Sequence, residues 1–231
     1  MIVLALDTAG VDCSVALHDS AAGRTLAVVT EAIGKGHAER LMDVIDLALA
    51  RAGLPLAAIG RIAVVVGPGS FTGIRVGVAA ARGLALALHV PAVGVTTLEV
   101  LGNAHQSKHP GLPVVVAMDA KRGEVYAQAF SADGRPMTEP AALAPDDVSA
   151  LAASLSATIA GSWVNAGEAP QVDNDQPEFA GRDRFDIATV ARIAAARTDT
   201  AERPKPLYLR GPDAKPQTGF ALARKAAFTQ D

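Results

Sequence analysis

The sequence predicts an α/β fold of two lobes, the second smaller and reduced, and three observations carry that prediction. Three short apolar runs come first, Ile2–Leu6, Cys13–Leu17 and Thr25–Thr30, spaced closely enough for an antiparallel meander. From His37 onward, stretches with helical periodicity alternate with short apolar runs. Near Pro113 a fresh pair of strand signals begins, Val114–Met118 and Glu124–Phe130, around the turn Asp119–Gly123. The chain of 231 residues, half of them hydrophobic and 19% charged, is large enough to bury a real core. The expected division places a first lobe at residues 1–108 and a reduced second lobe at 109–231.

The elements follow in order. Leu41, Val44, Ile45, Ala48 and Ala52 share one face of a helix over His37–Ala52, which ends at Gly53 before Pro55. Ile62–Val66 is a continuous apolar run, as expected for a strand covered on both faces. Thr72–His89 reads as a helix, Ala92–Gly94 as a short strand and Thr97–His105 as a further helix. The order strand, strand, strand, helix, strand, helix, strand, helix is that of the ribonuclease-H-like lobe used twice in actin, sugar kinases and heat-shock ATPases. Beyond Phe130 the pattern weakens. Ala132–Pro145 and Val164–Asp186 are rich in Pro, Gly, Ala and Asp and read as loops. Helices are expected at Asp146–Leu155 and Asp186–Arg197, with short strands at Ala157–Ala160 and Leu207–Leu209. The sequence shows no internal repeat.

Composition excludes several function classes. The net charge is −3 and only 4% of residues are aromatic, with no Lys/Arg run, so nothing marks an independent nucleic-acid grip. If RNA is the substrate, another subunit is expected to hold it. The single cysteine, Cys13, excludes an internal disulfide and suits a reducing cytoplasm. The N-terminus lacks a basic n-region and cleavage site, and the apolar stretch Val76–Leu88 is short for a bilayer and contains Arg82. The expectation is a soluble, cytoplasmic protein without a membrane anchor.

Gly67-Pro-Gly-Ser-Phe-Thr-Gly-Ile-Arg-Val-Gly77 joins a strand to a helix, and its chemistry leaves two readings open. Glycines permit positive φ, Ser70 and Thr72 suit N-capping, and free amides at a helix start attract anions. The alternative is a tight, well-capped turn. Counting rejects three familiar motifs: a P-loop needs Lys where Ile74 stands, the dinucleotide fingerprint needs glycine at Thr72, and a nucleophile elbow needs glycine at Pro68. The helix that follows is apolar nearly all round. Gly73, Gly77, Ala81 and Ala85 form a smooth stripe, and Val76, Ala80, Leu84 and Leu88 a bulkier one. Such a helix needs covering on both sides. Met42 and Leu49 give His37–Ala52 a similar surplus, so these helices either cover each other or meet a partner.

Several segments resemble the tRNA threonylcarbamoyladenosine biosynthesis family TsaB, also called YeaZ. They are Leu6-Asp-Thr-Ala with Ser14-Val-Ala-Leu17, His37-Ala-Glu-Arg-Leu41, the full Gly67–Gly77 block, Gly94-Val-Thr-Thr-Leu-Glu99, Asp119-Ala-Lys-Arg-Gly-Glu-Val-Tyr126 and Pro206-Leu-Tyr-Leu-Arg210. The resemblance implies an actin-like (ASKHA) fold and a noncatalytic subunit that pairs with its paralogue, the metal-dependent transferase TsaD, and with the ATPase TsaE. Together these install threonylcarbamoyl on adenosine of tRNAs reading codons that begin with A. It further implies pairing through first-lobe helices, with TsaD or, alone, as a homodimer, and indirect contact with tRNA. The implied interface takes His37, Leu41, Met42, Ile45 and Leu49 from the first helix, and Gly73, Arg75, Val76, Gly77, Ala80, Ala81 and Leu84 from the second.

No catalytic residue, metal or cofactor is expected. The paralogue's His-x-x-x-His metal pair corresponds here to Thr97 and Leu101, which cannot replace imidazole ligands. His105 and His109 have the spacing but stand too late, in a stretch that reads as loop. Asp7-Thr-Ala-Gly10 resembles the first phosphate loop of actin-like ATPases, which makes Asp7, Thr8 and Ser14 the nucleotide-loop candidates. They motivate the alternative, an independent actin-like ATPase or small-molecule kinase. A peptidase is disfavoured, since neither a nucleophile elbow nor a metal pair is present.

Overall fold

The computed structural model describes residues 1–163, 184–198 and 202–210. Strands β1 (Ile2–Asp7), β2 (Asp12–Asp19) and β3 (Arg24–Ala32) form the antiparallel meander, with Leu4 opposite Leu17 and Asp7 opposite Ser14. β4 (Ile59–Val65) then pairs parallel to β1, and β5 (Ala92–Val95) parallel to β4. The sheet order is β3-β2-β1-β4-β5. Helices α1 (His37–Ala52) and α2 (Phe71–Leu88) cover one face, α1 over β2 and β3 and α2 over β4. The central strands are apolar on both faces because both are covered, so every residue from Val3 to Leu6 is fully buried.

The second sheet repeats the plan. β6 (Val114–Asp119), β7 (Val125–Phe130) and β8 (Ala141–Leu143) form a meander, and β9 (Thr158–Ala160) adds parallel to β6, giving β8-β7-β6-β9. That is the order of the first four strands of the larger sheet, so the fold is the two-lobed actin-like fold with a reduced second lobe. The shared strand order leaves no sequence repeat because it rests on alternation and pairing, with β8 and β9 only three residues each. α4 (Pro145–Ser154) packs on one side of this sheet through Val148 and Ala152. α3 (Thr97–Lys108) packs on the other, where Leu98 meets Val114, Val116 and Phe130.

Two expectations are corrected. β8 lies inside the segment read as loop, where its Ala-Ala-Leu sequence offers little strand propensity and only pairing with β7 makes it a strand. Leu207–Leu209 is not a strand; Leu207 makes one ladder-like bond, its N–H donating to the Val66 carbonyl at 2.8 Å. α5 (Ile187–Ala196) leaves the second half of the chain and closes the first lobe, burying Ile187, Val190, Ala191 and Ala194 on the face of the larger sheet opposite α1 and α2. The loop expected over Val164–Asp186 falls almost wholly outside the described residues.

Polar contacts fasten α5 in place. The buried Arg61 of β4 donates from Nη1 to the carbonyls of Ala194 at 2.5 Å and Arg197 at 2.8 Å, satisfying groups that a helix end leaves open. Arg197 in turn bonds the Gly94 carbonyl and the Glu99 carboxylate, and Glu99 completes a capping box with Thr96 at the start of α3. Arg61→Met keeps much of the apolar stem and removes the charged donors. It is expected to lower unfolding stability by about 2–3 kcal/mol, read from urea melts.

Candidate functional site

The site candidates of the sequence converge at the end of β1. Asp7 and Ser14 are register partners across β1 and β2, and both are buried. The Asp7 carboxylate accepts the Ala9 N–H at 2.8 Å, yet burial, with a smaller contribution from the Asp12 charge, raises it from the ordinary range to about 7. Ser14 donates to the Thr30 hydroxyl at 3.1 Å. The Thr8 hydroxyl donates to the Gly73 carbonyl at 2.7 Å, and the Ser70 N–H to the Ala9 carbonyl at 2.6 Å. The loop after β1 and the turn before α2 therefore spend their polar groups on each other.

Glycine makes that contact possible. A Cβ on Gly73 would sit 1.9 Å from the Thr8 carbonyl oxygen, and one on Gly77 would sit 2.5 Å from Thr8 Oγ1. Gly67 holds φ at 105°, a conformation L side chains rarely adopt. Ser70 caps α2, its Oγ accepting the Gly73 N–H at 3.3 Å. At this turn the amides of Ser70 and Gly73 already have protein acceptors.

The same geometry divides the residues of the inferred interface into buried and accessible ones. Gly73, Gly77 and Ala81 are buried in the first lobe, as are Leu41, Ile45 and Leu49 of α1. His37 is buried too, with Nε2 3.2 Å from the Asp12 carbonyl oxygen, tying the start of α1 to β2. The smooth stripe faces inward because only small residues let α2 approach the Thr8 backbone so closely. What the two helices leave accessible is different. Val76, Ala80 and Leu84 are half-buried, Met42 and Arg75 are exposed, and Thr72, Ala79 and Gly83 occupy the outer side of α2. A Cβ on Gly83 would meet nothing within 4 Å. α2 is long and apolar enough to pass for a membrane span by length and composition, and it packs on β4, with Gly73, Ile74, Gly77, Val78 and Ala81 buried.

Thr97 and Leu101, which the resemblance aligns with a metal pair, are both occupied with packing. Thr97 donates to the Pro68 carbonyl at 2.7 Å and is buried, while Leu101 packs at the second-lobe cluster around Phe130. His105 is not in a loop: α3 runs through it to Lys108, and its Nε2 lies 3.1 Å from Thr158 Oγ1. Burial first, then the neighbouring charges of His109 and Lys108, holds its imidazole below the ordinary value. Among the described residues no three His, Cys, Asp or Glu side chains converge to hold a metal. Cys13 is fully buried, and burial with nearby carboxylates pushes its thiol up to about 11, far from the thiolate a nucleophile needs.

A family model described as TsaD, tRNA N6-adenosine threonylcarbamoyltransferase, matches residues 17–201. The tRNA threonylcarbamoyladenosine biosynthesis protein TsaB of Escherichia coli (strain K12) is 33% identical over 227 residues, covering 91% of this chain and 95% of that protein. The chain belongs to the TsaB (YeaZ) family. An uncharacterized protein of Mycobacterium tuberculosis (strain H37Rv) is 34% identical, with 93% of this chain and 94% of the relative covered. A crystal structure from Pseudomonas aeruginosa, described as an uncharacterized protein with similarity to peptidase YEAZ, is 33% identical, covers 90% of this chain and 99% of its own, and has a TM-score of 0.70. The peptidase similarity is said of that protein; in this TsaB-family chain the Ser70 hydroxyl is a helix cap.

The sequence named Arg75 but not the exposed aromatic cluster that it joins at the start of α2. Phe71 and Tyr208 lie 137 positions apart in the chain, yet their ring centroids are 5.3 Å apart. Arg75 lies over Phe71 at 3.7 Å from the ring centroid and donates from Nε to the Tyr208 hydroxyl at 2.9 Å. The only hint was that Phe71 and Tyr208 each stand in a segment that carried the family resemblance.

Proposed function

We propose that the chain takes part in tRNA threonylcarbamoyladenosine biosynthesis as a noncatalytic cytoplasmic subunit, docking the outer side of α1 and α2 on a TsaD-like transferase. A TsaE-like ATPase joins the pair, tRNA is held by the partner, and the isolated chain pairs with itself through the same helices. The observation that carries this reading is the outer side of α2. Small and apolar residues stay accessible there, with Ala79 and Gly83 exposed and Leu86 at 71% exposure, on a helix whose inner side is fully used by its own lobe. Small outward residues let a partner helix approach closely. The commitment of the Thr97 hydroxyl to Pro68, and of the Thr8 hydroxyl to Gly73, supports a role other than catalysis.

Gly83→Arg tests the docking. It places a long charged side chain in open space and replaces a glycine inside a helix, which favours the fold by up to about 1 kcal/mol. The expected result is an unchanged or higher melting temperature, with loss of co-elution with the transferase subunit on size exclusion. Reconstitution with that subunit, the ATPase, the adenylate synthase, tRNA, threonine, bicarbonate and ATP tests the role itself. Unchanged modified-nucleoside yield without this chain would sink it.

A further inference from the structure

Several arginines of this protein have acidic partners. Arg40 pairs with Glu31 and Asp43, Arg184 with Asp12, Arg197 with Glu99, and Arg210 with Glu124. Arg75 differs. Its guanidinium is placed by two aromatic rings, stacked on Phe71 and hydrogen-bonded through Nε to Tyr208. Among the described residues no hydrogen bond or ion pair engages its Nη1 or Nη2.

Tyr208 is itself held on both sides. Leu207 donates to the Val66 carbonyl at 2.8 Å, beside the turn that starts α2. Arg210 donates to the carbonyls of Ala120 and Lys121, both at 3.2 Å, and pairs with Glu124 on the β6–β7 hairpin. The extended segment Leu207–Arg210 thus fastens the first lobe to the second and fixes the Tyr208 hydroxyl between its two anchors. A surface arginine ordinarily loses rotamer freedom when it grips an anion. Here that freedom is already gone, and the planar fork is presented with two donors outward.

We propose that Arg75 is a preassembled fork for one carboxylate of the protein seated on α2, flanked by apolar contacts to Phe71 and Tyr208. This rests on the docking reading above. A carboxylate matches the two parallel N–H donors, and exposed rings on either side, Phe71 at 52% and Tyr208 at 48%, supply the water-excluding rim that makes such a pair strong. The net charge of −3 and the absence of a basic run favour a protein carboxylate over an RNA phosphate, which ordinarily needs several cations in line. Tyr208 is a positioning residue in this arrangement, acting through Arg75.

The test is calorimetric titration of the full chain with the TsaD-like subunit from the same organism, at low and high salt. Arg75→Gln is expected to weaken binding at least about tenfold and to flatten its salt dependence. Arg75→Lys is expected to rescue little, because an ammonium lacks the fork. Tyr208→Phe is expected to weaken binding severalfold while keeping the salt dependence. Melting temperatures within a degree or two of the parent show that each variant folds. Arg75→Gln binding within twofold of the parent, with Gly83→Arg still blocking the complex, overturns the fork and leaves the docking reading standing. Failure of the unmodified chain to bind overturns both. Loss of affinity for a labelled anticodon stem-loop, with the protein isotherm unchanged, makes the fork a phosphate site and overturns the carboxylate assignment.

Discussion

Gly73→Val is expected to leave the protein insoluble or to lower its unfolding stability by about 4 kcal/mol or more, an effect reserved for a short list of structural failures. The cause is local and steric. The first side-chain atom alone would stand 1.9 Å from the Thr8 carbonyl oxygen, and that carbonyl belongs to backbone held from both sides. Thr8 donates to the Gly73 carbonyl, Ala9 accepts from Ser70, and Asp7 accepts from Ala9, so the loop has nowhere to retreat. Gly83→Val on the same helix is the internal control. Its Cβ enters open space, and its stability is expected to stay within about 1 kcal/mol of the parent. Urea melts of both variants decide the matter: comparable midpoints would mean that α2 does not rest on the Thr8 backbone.

The second large effect is pH-dependent. Asp7 in the folded protein titrates near 7, against an ordinary value of 3.8. The folded state therefore keeps a proton that the unfolded chain releases, and stability falls as pH rises from about 4 to about 7. Below that window the group is protonated in both states and the penalty vanishes; above it the penalty is complete. The span corresponds to at most about 4 kcal/mol. Asp7→Asn keeps an oxygen able to accept the Ala9 N–H and removes the charge. It is expected to be indistinguishable from the parent near pH 4 and more stable by a few kcal/mol at pH 8. A gain of equal size at both pH values would show that the carboxylate is not the titrating group.

Much of the first lobe was legible because its signals are local. Alternating and continuous apolar runs, the helical spacing of Leu41, Val44, Ile45 and Ala48, and the glycine and proline that stop α1 all act within a few residues. The second lobe was less legible because β8 is three residues long and draws its pairing from β7. α3 runs three residues beyond its expected end at His105 for a related reason: a helix whose exposed end carries Gln106, Ser107 and Lys108 loses its periodicity before it loses its hydrogen bonds.

The candidate site shows the same division more sharply. That Gly73, Gly77 and Ala81 lie on one side of a helix follows from 3.6 residues per turn. Which way that side points does not, since smooth stripes serve equally for approach to one's own backbone and to a partner's.

By itself the sequence determined the family, the three-strand start, the helices that follow and the tight capped turn, because each depends on residue types a few positions apart. Only the tertiary structure decided that α5 returns to close the first lobe, that the small-residue stripe is spent on Thr8, and that Arg75 meets Tyr208 from 133 positions away. Those contacts join segments distant along the chain, and composition and spacing record nothing of which distant surfaces will fit together.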